Sequence, residues 1–163
     1  MSDVAERRGL TVAQLVVASV WLGATLLFIA VVAPAAFRAL PSRTLAGALV
    51  GAVLPSLFYS GIVVGFVLAL AAMAVKRRKI VTAGTVGGFL VAVSCAAAQF
   101  VIAPRIERAR AAISGPVESI PPSDPRRIAF GRLHGASVIW LGVATIGAVI
   151  VAAGAGASLR RSA

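Results

Sequence analysis

Histidine, cysteine and carboxylates are scarce in this chain of 163 residues, and each scarcity closes a class of chemistry. A single cysteine, Cys95, excludes a fold stapled by its own disulfides and a structural zinc site built on thiolates. One histidine, His134, excludes bis-histidine haem within one chain, and no Ser-His-Asp set can be placed around it. The only methionines are Met1 and Met73, far in sequence from His134, so a Cu(I) cage of soft ligands cannot be assembled. No Asp or Glu occurs between Glu6 and Glu107. A proton-coupled cation exporter needs an intramembrane carboxylate there, and is disfavoured. Charge itself is thin: 13% of residues, against about 25% in soluble domains.

What fills the space is apolar. Hydrophobic residues make up 60% of the chain and the mean hydropathy is +0.98. Uncharged runs extend over 9–37, 44–75, 80–104 and 134–159. A helix needs about 20 such residues to cross roughly 30 Å of hydrocarbon, and all four runs exceed that. Without period-2 alternation they are helices, because only helices or closed barrels satisfy the backbone in lipid. The reading is an all-α integral membrane four-helix bundle in a single domain, with helices at about 10–38, 43–75, 80–104 (extending to about 112) and 128–159. The loop is 113–124, where Gly115-Pro116 and Pro121-Pro122 stand. Asp124-Pro125 then reads as a cap and first turn, drawing the fourth helix's start back towards 125. The first run is nearly twice a signal-peptide core of about 7–15 residues and is read as an uncleaved helix.

The net charge of +11 does not indicate nucleic acid, because the cations sit where the apolar runs stop. Arg7-Arg8, Arg38, Arg43, Lys76-Arg77-Arg78-Lys79 and Arg160-Arg161 are membrane flanks, with the Lys76–Lys79 run a topology anchor. The partner expected is the bilayer. Arg outnumbers Lys 14 to 2 in an alanine-rich chain, which indicates a GC-rich bacterial genome and a plasma (inner) membrane. The two sides carry 8 Lys/Arg each. Setting aside Arg38, Arg108 and Arg132 as site residues leaves 8 against 5, with both termini cytoplasmic.

Glycines mark packing faces. Gly47, Gly51, Gly61 and Gly65 fall on one stripe of helix 2, shared with Leu54 and Phe58, and Gly84/Gly88 and Gly131/Gly135 repeat the G-x-x-x-G spacing. Such stripes let helices approach within the bundle; a homo-oligomer through helix 2 is the alternative. Pro55 should kink helix 2 near Ser56, Tyr59 and Ser60.

Residues 31–39 and 101–109 match at five of nine positions with a constant offset of 70, including Pro34/Pro104 and Arg38/Arg108. That fits a duplicated two-helix hairpin. Connectivity brings both Pro-x-x-x-Arg tips to one end, together with Gln99, Glu107, Arg132, His134 and Ser137. Ionisable groups at a membrane boundary are ligand-binding candidates, with interfacial snorkelling the alternative. Arg38, Arg108 and Arg132 would suit an anionic group.

These residues also carry a resemblance. Val20-Trp21-Leu22-Gly23-Ala24 and Val32-Ala33-Pro34-Ala35-Ala36-Phe37-Arg38 in helix 1, Pro104-Arg105-Ile106-Glu107-Arg108, and Phe130-Gly131-Arg132-Leu133-His134-Gly135-Ala136-Ser137 resemble the transmembrane protein 205-like family. The resemblance implies a four-helix membrane domain of unknown function, with no catalytic activity to carry over. More distantly the chain is similar to copper-resistance-D and HemJ-like membrane proteins, some of which bind haem.

Three functions follow as expectations. The first is a small carrier or binding protein for an anionic or amphipathic ligand at the polar end, without cofactor or metal. The second is a haem-binding redox protein using His134. The third is a structural or assembly protein packing through its glycine faces. An enzyme is the less expected class.

Overall fold

The computed structural model describes residues 2–74 and 78–161. Lys76 and Arg77 of the expected 76–79 turn, and the side chains of Arg78 and Lys79, lie outside what is described. Span 1 comprises α1 (Ser2–Leu27), a π-helical segment (Phe28–Val32) and α2 (Ala33–Ala39). Span 2 is α3 (Arg43–Ala74). Span 3 comprises α4 (Arg78–Ala96), a second π segment (Ala97–Ile102) and α5 (Ala103–Ala111). Span 4 is α6 (Pro125–Arg160), and the loop before it holds a short 3-10 turn, Val117–Ser119. No strand occurs among the described residues.

By length and composition the four spans are able to cross a membrane. Their surface agrees: Val20, Val63, Leu70 and Ile139 are 63–67% exposed, which only a lipid surround makes favourable. This is a multi-pass membrane protein. Span 1 begins at Ser2, ahead of the expected start near residue 10, because charged residues beyond the hydrocarbon can continue the helix into water.

The π segments are the main departure from the expected plain helices. Each ends where a proline opens the next α segment, Pro34 in α2 and Pro104 in α5. A proline lacks the N–H that would bond four residues back, and its ring presses on that carbonyl. A wider turn relieves both problems without breaking the rod. The offset of 70 that relates the two tips in sequence also relates the ends of the two π segments, Val32 and Ile102. Pro55 is handled differently, inside a continuous α3. The carbonyl of Gly51 is thereby left without a donor four residues on.

The spans pack in a ring, 1 to 2 to 3 to 4 and back to 1, while spans 2 and 4 barely touch across it. Two glycine pairs set the tightest approaches. A Cβ at Gly65 would lie 2.6 Å from the Gly88 carbonyl oxygen, and one at Gly88 2.7 Å from that of Gly65. Gly87 and Gly147 meet in the same reciprocal way between spans 3 and 4, at 2.6 and 2.7 Å. Close backbones gain dispersion and Cα–H···O contacts, which hold helices together where lipid removes the hydrophobic driving force. Next to these contacts, on the side away from the termini, lies the core of Trp21, Phe58, Val91, Cys95 and Leu141. Towards the termini, Gln14 is buried and donates to the Leu68 carbonyl at 3.4 Å.

Local signals fix the helix starts at the other end. Ser42 caps α3, its Oγ accepting the Leu45 N–H at 3.2 Å. Asp124 caps α6, accepting the Arg126 N–H at 2.8 Å and pairing with its guanidinium at 2.8 Å. Those bonds hold the Asp124 carboxyl down at about 2, below the usual 3.8. The carboxylate therefore supports the start of α6 above about pH 4, and that support is lost as pH falls towards 2. Protection of the 126–128 amides, measured against their intrinsic exchange rates, should fall over that window; in Asp124→Asn the fall should be absent.

Candidate functional site

Where spans 1 and 3 end and spans 2 and 4 begin, the helices part around a cavity of about 670 Å³. One wall is the α3 stripe already legible in the sequence: Gly47, Gly51, Leu54 and Phe58. From Arg43 to Phe58 this wall is about 22 Å long at 1.5 Å per residue. The glycine stripe thus has two uses. Its inner pair, Gly61 and Gly65, packs against Trp21 and Cys95 and against span 3. Its outer pair, Gly47 and Gly51, has no atom within 4 Å of an added Cβ and leaves the cavity its width. The opposite walls come from Phe37 of α2, Ile106 of α5 and Phe130 of α6.

Polar groups stand at two depths. At the inner end are Ser137, buried, and Gln99, presented by the second π segment. The Gln99 amide nitrogen donates to the Tyr59 hydroxyl at 3.4 Å, while its oxygen is buried without a partner. At the mouth are Arg43, Glu107, Arg110, Glu118, Arg127 and His134. The His134 ring lies parallel to Phe130, 6.4 Å between centroids. The loop crosses this end and is tied down: Thr44 donates to Glu118 at 3.3 Å, and Arg127 to the Ile120 carbonyl at 2.7 Å. Gly115, with φ 109°, makes the turn that brings the loop there, a conformation few other residues adopt.

The expected residues divide. Gln99, Glu107, His134 and Ser137 line the cavity together with Pro55 and Pro104. Pro34 opens α2 at this same end, but Arg38, Arg108 and Arg132 are exposed and are not among the lining residues. Arg43, Arg110 and Arg127 stand there instead. Helical register explains the exchange. At about 100° per residue, Arg127, Phe130, His134 and Ser137 share one face of α6, and Arg132 points about 160° away from His134. On α5 the lining residues are Ala103, Pro104, Ile106, Glu107 and Arg110, and Arg108 lies about 130° from the centre of their face. The signal was in the sequence, in the stripe that runs through His134 itself. Gly84 packs on Ala72, whereas Gly131 and Gly135 meet nothing within 4 Å.

Among the described residues none of Arg43, Arg110 and Arg127 forms an ion pair with Glu107 or Glu118. Nor do His, Cys, Asp and Glu gather in threes among them. The site is an apolar slot with a charged rim.

Residues 16–114 match the model of a family described as a domain of unknown function (DUF4149). The match runs through spans 1 to 3 and takes in Gly51, Gln99, Glu107 and Arg110, stopping short of Glu118, Arg127 and His134. No curated protein and no solved structure matches the chain.

Proposed function

We propose that this membrane protein, which belongs to the DUF4149 family, binds and carries an anionic amphiphile in the slot between its spans. One observation supports this above the rest: a cavity of about 670 Å³, apolar along α3 and rimmed by Arg43, Arg110 and Arg127. A guanidinium presents a planar fork that matches phosphate or carboxylate oxygens, and its hydrogen bonds strengthen at a low-dielectric boundary. The hydrocarbon part of the ligand lies beside Leu54 and Phe58, where burial contributes about 25 cal/mol per Å² relative to water. Such a ligand reaches the slot from the bilayer, so its headgroup supplies the discrimination.

Dodecyl phosphate added to the detergent-purified protein is the simplest probe. Saturation at about 100 times Kd stabilises the folded state by about 2.7 kcal/mol, which raises Tm by roughly 5 °C or more. Arg110→Ala should abolish most of that rise and Arg108→Ala should leave it intact. Equal losses from both variants, or no rise in the parent, would count against the reading. An absorbance spectrum of the same sample addresses the second occupant, because His134 also lines the slot. A Soret band lost in His134→Ala would replace the amphiphile with haem, which His134 would hold.

The membrane is proposed to be a bacterial plasma membrane, with both termini cytoplasmic and the slot opening on the outer side. Reporter fusions at residues 78 and 118 should report cytoplasm and exterior respectively. The reverse pattern would turn the protein over.

A further inference from the structure

The rim holds more than cations. Glu107 sits one helical turn before Arg110 on α5, and Glu118 is held over the cavity by the loop. A site meant only for negative charge gains nothing from two carboxylates, which repel such a ligand at close range. Had they served to neutralise the arginines, ion pairs would be expected between them. Among the described residues there are none, although all five groups line one cavity of about 670 Å³. Arg43, Arg110 and Glu107 make no hydrogen bond there either, so both signs remain available to a third party.

We infer that the ligand is an aminophospholipid, whose headgroup carries a primary ammonium as well as its phosphate. This rests on the amphiphile reading above, keeps the anionic phosphate as the group the arginines hold, and adds a cationic group beside it. The phosphate is held by Arg110, Arg127 and Arg43. The ammonium turns towards Glu107 and Glu118 and donates its hydrogens to their carboxylate oxygens. One chain follows Gly47, Gly51, Leu54 and Phe58 inward. Phosphatidylglycerol offers the same phosphate and a diol, which leaves two carboxylates unmatched. Phosphatidylcholine offers a positive charge with no hydrogen to donate. Discrimination therefore comes from the carboxylates, and anchoring from the arginines.

The test is native mass spectrometry of the detergent-purified protein offered an equimolar mixture of dioleoyl-phosphatidylethanolamine and dioleoyl-phosphatidylglycerol, then the former against dioleoyl-phosphatidylcholine. The ethanolamine lipid should be retained at least about fivefold over each competitor, a difference of the size charge-assisted hydrogen bonds give. Glu107→Gln with Glu118→Gln should bring it to parity with phosphatidylglycerol while total lipid bound is kept. Arg110→Gln should lower retention of all three. Parity in the parent, or a preference that survives both Gln substitutions, overturns the aminophospholipid and leaves the amphiphile reading standing. No retained lipid of any kind overturns both.

Discussion

Replacing Gly65 or Gly88 with leucine should unfold or disassemble the bundle. At both positions the atoms a side chain would meet belong to the facing backbone: Ala92 N at 2.5 Å and Gly88 O at 2.6 Å from Gly65, and Ala69 N and Gly65 O at 2.7 Å from Gly88. A flexible neighbour could swing aside, but two helix backbones can only separate. Overpacking in ordinary cores costs about 1–3 kcal/mol. Here the loss exceeds about 3 kcal/mol, because separation also forfeits the contacts along the whole interface between spans 2 and 3. Thermal unfolding in detergent should show Tm lowered by about 10 °C or the folded species lost. Gly23→Leu is the control, since nothing lies within 4 Å of its Cβ and leucine favours helix. An unchanged Tm in Gly65→Leu would mean that the spans do not meet as described.

Gly51→Leu should have the opposite profile. Gly51 belongs to the same stripe as Gly65, yet an added Cβ meets nothing within 4 Å, because the cavity is there. The ligand-free protein should fold normally, gaining up to about 1 kcal/mol from improved helix propensity. Its amphiphile affinity should fall at least about tenfold, since four added carbons fill the slot the hydrocarbon needs. Stability and binding thus part company along one helix face. If Gly51→Leu loses stability and keeps binding, the two halves of the stripe have been assigned the wrong way round.

The architecture was legible because lipid imposes a length, and four uncharged runs meet it. Pro34 and Pro104 stood out in the sequence as matched positions of a repeat, but the π segments that accommodate them did not. Which carbonyls a proline disturbs follows from sequence, whereas whether the chain widens its turn, as before Pro34, or continues, as through Pro55, depends on the neighbours packed against it. The polar end was legible as an end, not as a site. Proximity in sequence to proline and histidine drew attention to Arg38, Arg108 and Arg132, while Arg43, Arg110 and Arg127 line the cavity. Glu118 and Thr44 were not among the expected residues, since a loop residue has no period from which to infer its direction. Gly87 and Gly147 escaped for a related reason: their contact joins spans 3 and 4, and neither belongs to a G-x-x-x-G repeat on its own helix.

The slot's occupancy can be read most directly by photo-crosslinking with a phosphatidylethanolamine that carries a diazirine in one acyl chain, mapped by peptide mass spectrometry. The account predicts labels on lining residues such as Leu54 and Phe58, lost in Gly51→Leu, above the background on outward-facing Val20, Leu70 and Ile139. Labels confined to those outward residues, unchanged by Gly51→Leu, would contradict it.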